Sequence, residues 1–243
     1  MVGAEGSRRG ELAANLAAVE RRLVQACVAA GRDRAEVTLV AVTKEFPASD
    51  VELLAELGIT DVAENRDQEA RVKHAAVNAP LRWHYVGQVQ RNKARSIARY
   101  ADVVHSLDRA ELVPAFGAAT ATREAPLDVL LQVSLAPDPA AAVHRGGADP
   151  AVVPELAGLV VAQAGLRLRG VMAVPPLDCP ADEAFAQLAA IAATVRAVHP
   201  DARWISAGMS SDLEHAVRHG ATHVRVGTAL LGKRRSLRAN VSL

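Results

Sequence analysis

Cysteine is nearly missing from the 243 residues: only Cys27 and Cys179 occur, far apart and in no Cys-x-x-Cys arrangement. That excludes a disulfide framework and fits a reducing compartment. Aromatic residues are scarce at 3% of the chain, and no basic run interleaves with them. A nucleic-acid footprint is therefore absent. Excess charge is absent too, since the formal net charge is +1. The one basic cluster, Lys233-Arg234-Arg235 with Arg238, reads as a solvated terminus. Long hydrophobic runs are missing: none approaches membrane-spanning length, which excludes a membrane helix. Met1 to Gly10 lacks the apolar segment of a secretory leader. A soluble, cytoplasmic protein is expected. The last scarcity is lysine. Only Lys44, Lys73, Lys93 and Lys233 stand against two dozen arginines.

Half of the residues are apolar, dominated by alanine, valine and leucine, which suits helices packed on a parallel sheet. Helical spacing of Leu12, Leu16, Val19, Leu23 and Cys27 predicts an opening helix from about Glu11 to Ala30. After Gly31, β-rich runs alternate with helical stretches. The predicted strands are Val37–Thr43, Thr60–Ala63, Arg82–Val86, Asp102–Ser106, Leu127–Leu135, Leu168–Val174, Arg203–Ala207 and Thr222–Val226. Helices fall near Ser49–Leu57, Asp67–Ala76, Asn92–Tyr100, Ala110–Ala121, Pro150–Ala164, Asp182–Val198 and Ser211–His219. Ser49-x-x-Glu52 and Ser211-x-x-Glu214 carry the capping-box pattern. Strict alternation with eight strands predicts a single (β/α)₈ TIM-type barrel with an extra N-terminal helix, residues 1–243 forming one domain. A doubly wound open sheet is the alternative. It would want a glycine fingerprint after the first strand, where Val42-Thr43-Lys44-Glu45 stands instead.

Barrel active sites lie at the carboxyl ends of the strands. Lys44 ends the apolar run Leu39-Val40-Ala41-Val42, in a chain that elsewhere prefers arginine for charge. An amine that loses hydration there favours its neutral, nucleophilic form. Pairing with Glu45 or Glu64 is the blander role for the same residue. Ser206-Ala207-Gly208-Met209-Ser210 and Arg225-Val226-Gly227-Thr228-Ala229 follow the last two strands. Small residues and hydroxyls in those loops form a candidate phosphate cradle, with Ser210, Thr228 and the amides near Gly208 and Gly227 as donors. A Schiff-base lysine together with a phosphate cradle points to pyridoxal 5′-phosphate (PLP). Strand alternation puts Arg225 and His223 on one face. If that face is the interior, Arg225 can donate to the PLP ring nitrogen.

Several segments then carry a family resemblance. They are Thr43-Lys44, Glu64-Asn65, Trp83-His84-Tyr85-Val86-Gly87-Gln88-Val89-Gln90-Arg91-Asn92-Lys93, Gly170-Val171-Met172-Ala173-Val174-Pro175, Ser206 to Asp212, and Val224 to Ala229. Together they resemble the PLP homeostasis proteins, the YggS/PROSC family, from about Glu11 to Gly232. The resemblance implies the barrel of the alanine racemase N-terminal domain and PLP as a Schiff base on Lys44. Asn65, His84, Met172, Ser206, Gly208, Met209, Ser210, Arg225, Gly227 and Thr228 are the remaining expected cofactor-binding residues. It also implies a role in vitamin B6 homeostasis, buffering PLP or delivering it to PLP-dependent apoenzymes, rather than catalysis. Where the family usually has Gly-Glu-Asn-Tyr, this chain has Ala63-Glu64-Asn65-Arg66.

Two rival functions remain open at this stage. An amino-acid racemase of this fold needs a second, β-rich domain and a tyrosine acid/base, and the expectation is that none follows Leu243. A cofactor-free Schiff-base aldolase would use Lys44 alone. No metal site is expected: His215 and His219 are spaced i, i+4 but lack a third ligand. His105 reads as a core histidine, and Trp83 and Trp204 as packing residues. The stretch from Ala136 to Pro150 is long enough for a lid. No signal of self-association is visible, so a monomer is expected.

Overall fold

In the computed structural model, residues 2–136, 146–176 and 179–232 are described. The 137–145 loop and the basic tail singled out above lie outside them. Eight parallel strands close into a barrel in sequence order. They are β1 (Thr38–Val42), β2 (Asp61–Glu64), β3 (Arg82–Tyr85), β4 (Val103–Leu107), β5 (Leu127–Gln132), β6 (Leu166–Met172), β7 (Trp204–Ser206) and β8 (His223–Val226). β8 returns to β1 with Thr38 opposite His223 and Val40 opposite Arg225, which closes the ring. The helices are α1 (Val2–Ala29), α2 (Ala48–Glu56), α3 (Asp67–Ala76), α4 (Ala94–Ile97), α5 (Leu112–Thr120), α6 (Val153–Ala162), α7 (Ala181–Val198), α8 (Leu213–Arg218) and α9 (Thr228–Leu231). The open-sheet alternative is thereby discarded.

The main core lies outside the barrel wall. Leu39, Ala41, Val62, Val104, Val129, Leu131, Val224 and Val226 face the helices and join their apolar stripes in one cluster. Interior positions alternate with these. Val103, Leu130 and Met172, with Trp204 against them, form a separate small apolar cluster inside. Polar residues line much of the rest of the interior: Asp61, His84, His105, Ser206, His223 and Arg225 are all buried.

α1 begins at Val2, earlier than its apolar spacing predicts. Its polar residues account for its position against the barrel. Arg8 pairs with Asp50 and donates to Leu231 O, and Asn15 donates to Leu230 O, so α1 satisfies the carbonyls that end α9. Arg22 grips Glu214 with two nitrogens and donates to Ser210 O. That engagement also explains why the second expected capping box is not formed. α8 starts at Leu213 with Asp212 as N-cap and no side-chain cap bond, while Glu214 turns to Arg22. The first is not formed either, because Pro47 takes the N-cap of α2 and Ser49 falls inside the first turn. A capping box that the apolar pattern did not flag joins Asp33 and Glu36 on a short 3₁₀ turn.

Gly170 sets the passage of β6 past β7. Its φ is +148°, and a Cβ there would lie 1.9 Å from Trp204 O. Gly170→Ala is expected to break this pairing and destabilise the protein by more than about 4 kcal/mol, since backbone cannot yield as a side chain does. Gly158→Ala, an exposed helix position with nothing within 4 Å, is the control and should be neutral or stabilising. Urea midpoints of the two variants check this.

Candidate active site at the barrel mouth

Lys44 directly follows Thr43, whose N–H still bonds across to Ala63 O, so the β1–β2 ladder delivers the lysine to the mouth. Thr43 Oγ1 reaches outward to Glu64, which leaves Lys44 on the inner phase of the strand. Its side chain is half-buried and makes no hydrogen bond among the described residues. The suggested pairing with Glu45 or Glu64 is not formed. Those carboxylates have other partners: Glu64 is held by Lys73, and Glu45 lies 3.7 Å from Arg66.

The backbone on either side of Lys44 is clamped. Buried Lys73 donates to Thr43 O at 2.6 Å and to Glu64 Oε1 at 2.7 Å, and lies 2.6 Å from Glu69. Glu69 in turn accepts the Glu45 N–H, and Glu45 holds a left-handed φ of 66°. A non-glycine residue in that region is strained and persists where its surroundings dictate it. Burial pushes the Glu64 carboxyl above its ordinary range, against the opposing pull of Lys73 and Thr43. Lys73 was legible only as one more lysine in a lysine-poor chain, because its partners come from the end of β1, from β2 and from its own helix α3.

The two turns after β7 and β8 are joined. Arg225 N–H bonds Gly208 O at 2.9 Å, and Ser210 Oγ accepts the Ala229 N–H at 3.2 Å. Gly208 has φ +89°, and a Cβ there would meet Ala216 at 2.6 Å, so the turn needs glycine. The Met209 N–H is taken by Asp212 at 2.6 Å. The N–H groups of Ser210, Ser211 and Thr228 make no backbone hydrogen bond among the described residues. Ser210 is half-buried and Thr228 exposed, so both hydroxyls reach solvent at the mouth.

Arg225 faces the interior and is 4% exposed. It donates to Ser206 Oγ at 2.6 Å and Ala173 O at 2.9 Å. No carboxylate pairs with it among the described residues. Burial lowers its pKa to about 10, with Asp212 opposing, so it stays charged at neutral pH. An unpaired guanidinium in such a place is costly unless an acceptor completes it. At the end of β2, Asn65 Oδ1 is buried without a hydrogen-bond partner among the described residues, and Gly87 packs so closely that a Cβ would lie 2.0 Å from Asn65 O. Met172 is buried in the interior cluster. His84 is placed differently from the mouth residues. Both its ring nitrogens are engaged inside the barrel, by Asp61 at 2.9 Å and His105 at 2.7 Å. Asp61 and His105 were not among the expected site residues; the pairing of β2, β3 and β4 brings them to His84.

The outlying histidines sit elsewhere. His219 and Arg218 both bond Asp182 at the start of α7. Trp83 packs outside the barrel against His74, and Trp204 lies between the guanidiniums of Arg82 and Arg169. Both tryptophans are packing residues.

Comparison with known proteins agrees with this geometry. Residues 13–235 match the alanine racemase N-terminal domain family. The pyridoxal phosphate homeostasis protein of Mycobacterium bovis is 46% identical, over 94% of this chain and 95% of that one. Its Escherichia coli K12 counterpart is 33% identical over 92% and 97%. Among solved structures, PipY of Synechococcus elongatus with PLP bound superposes with a TM-score of 0.79 at 32% identity, covering 91% of this chain and all (100%) of that one. An alanine racemase from Corynebacterium glutamicum shares the fold, with a TM-score of 0.66 at 16% identity, and this chain spans 60% of its length. The chain thus belongs to the pyridoxal phosphate homeostasis protein family, built on the alanine racemase N-terminal barrel.

Proposed function

We propose that this protein holds PLP covalently on Lys44 at the barrel mouth and buffers or delivers it, without catalytic turnover. The observation that carries the reading is Arg225: a buried cation with no carboxylate partner among the described residues, beside a mouth that also presents Lys44 and the turns after β7 and β8. When bound, PLP supplies an aldehyde that condenses with amines and a ring that accepts electrons once its nitrogen is protonated. Lys44 Nζ provides the amine. Arg225 donates to the ring nitrogen and, being cationic, disfavours a proton there, which keeps the ring a poor electron sink. Asn65 and Met172 would bound the ring, and Met209, whose N–H is committed to Asp212, would contribute through its side chain alone. Ser210, Thr228 and the amides near Gly208, Ser211 and Gly227 hold the phosphate.

A non-catalytic role also agrees with the tyrosines. Tyr85 and Tyr100 belong to the core outside the barrel wall. Burial pushes Tyr85 up to about 12 and Tyr100 higher still, so neither is poised as a racemase acid/base. PLP-dependent apoenzymes are the proposed recipients, with the protein acting as a monomer in the cytoplasm. No helix among the described residues is long and apolar enough to cross a membrane.

Replacing Ser210 or Thr228 removes a charge-assisted hydrogen bond of about 1.5–3 kcal/mol, or roughly ten- to a hundred-fold in PLP affinity. Pyridoxal lacks the phosphate, so its binding should be unaffected. Equal weakening of both ligands in Ser210→Ala would place the phosphate elsewhere. The parent reading is checked by the absorbance spectrum of protein mixed with PLP. A borohydride-sensitive band is expected, and substantial turnover of any amino acid would refute the non-catalytic role.

A further inference from the structure

TIM-barrel interiors are ordinarily filled by bulky branched side chains. Here an unbroken line of polar groups crosses the interior. Asp61 Oδ1 lies 2.9 Å from His84 Nε2, His84 Nδ1 lies 2.7 Å from His105 Nε2, and His105 Nδ1 lies 2.9 Å from Ser206 Oγ. Ser206 Oγ accepts from Arg225 at 2.6 Å. His84, His105 and Ser206 are each 0% exposed, so bulk solvent does not reach the line.

The chemistry of the ends fixes the direction of the line. A carboxylate only accepts and a guanidinium only donates. Asp61 therefore requires the His84 proton on Nε2, which leaves His84 Nδ1 as an acceptor. His105 must then carry its proton on Nε2, and its Nδ1 accepts the Ser206 hydroxyl. Ser206 thus spends its proton on His105 and turns a lone pair to Arg225. Donation in one direction polarises each oxygen or nitrogen as an acceptor for the next donor. The reversed order would set a bare nitrogen against the carboxylate and leave the serine hydroxyl proton without a partner. Hydrogen bonds from His84 and Thr60 overcome the burial of Asp61 and hold its carboxyl below the ordinary range, while burial keeps both imidazoles neutral.

We propose that Asp61, His84 and His105 are positioning residues for Arg225, the carboxylate at the start of β2 fixing both imidazole tautomers and, through Ser206, the guanidinium at the mouth. His84 thereby moves from the expected cofactor contacts to a supporting place behind them. The meaning of this for PLP rests on the function proposed above; the relay itself does not.

The test begins with ligand-free wild-type protein and the ¹⁵N spectrum of its imidazoles. Both His84 and His105 are expected neutral with the proton on Nε2. A His105 that is charged or protonated on Nδ1 overturns the proposal, whether or not PLP binds, and this measurement needs no variant to fold. In Asp61→Asn, which can donate as well as accept, the Arg225 guanidinium N–H groups are expected to exchange with solvent at least about ten-fold faster than in wild type. Unchanged exchange in the folded variant overturns the relay. On the PLP reading, the same variant weakens PLP and pyridoxal equally, because the ring contact is affected rather than the phosphate. Loss confined to PLP overturns the link to Arg225. Failure of wild type to bind PLP would sink the function proposed above while the tautomer and exchange results still decide the relay.

Discussion

Lys44→Ala is expected to leave a folded barrel from which borohydride fixes no pyridoxyl group. Lys44 is half-buried and makes no hydrogen bond among the described residues, so its removal should change stability by less than about 0.5 kcal/mol. The covalent bond, by contrast, is lost outright. Lys73 cannot replace it although it lies behind the same loop. It is 5% exposed, and its ammonium is committed to Thr43 O, Glu64 and Glu69. Lys93 is more open, but it lies 3.8 Å from Asp67 and follows β3 rather than β1 in the chain. Reduction of wild type followed by peptide mass spectrometry should place the adduct on Lys44. An adduct mainly on Lys73, Lys93 or Lys233 would overturn the assignment, and unfolding of the variant by circular dichroism would show that the lysine has a structural duty.

The second large effect is on stability against pH. Burial lowers the pKa of His84 and His105, the latter well below 6.5, and that of His223 to about 3. In the unfolded chain each imidazole takes up a proton near 6.5, whereas the folded protein keeps them neutral. Unfolding therefore binds protons below that value, and stability present above pH 6.5 drains away as pH falls, for His223 down to about pH 3. His223 alone costs on the order of 2 kcal/mol at pH 5, and His84 and His105 act in the same direction. Urea unfolding free energies between pH 7 and 5 should fall by more than about 1.4 kcal/mol per pH unit in the lower half of that range, the slope of one proton. A flat profile would mean that these histidines are already charged in the fold, which would also break the polar line from Asp61 to Arg225.

The sequence by itself determined the barrel architecture and singled out Lys44 as the candidate amine. Alternation of apolar runs and helical stretches suffices for the barrel because parallel strands buried against helices must be apolar along one face, and eight such units close. Lys44 stood out because a lone lysine at the end of an apolar strand has no packing reason to be there. The two turns were legible as a candidate phosphate cradle because small residues and hydroxyls recur after the last two strands. Local chemistry misled at Ser49 and Ser211, where the capping pattern was present but Pro47 and Arg22 decided the helix starts. What only the tertiary structure decided is partnership across the ring. Asp61, His84, His105, Ser206 and Arg225 come from five strands, and nothing in their spacing says that they form one line. The same holds for Lys73 beneath Lys44 and for Arg22 on the Ser210 turn. A side chain's facing direction follows from strand alternation, but its neighbour follows from register between strands, which closure of the barrel fixes and no single strand contains.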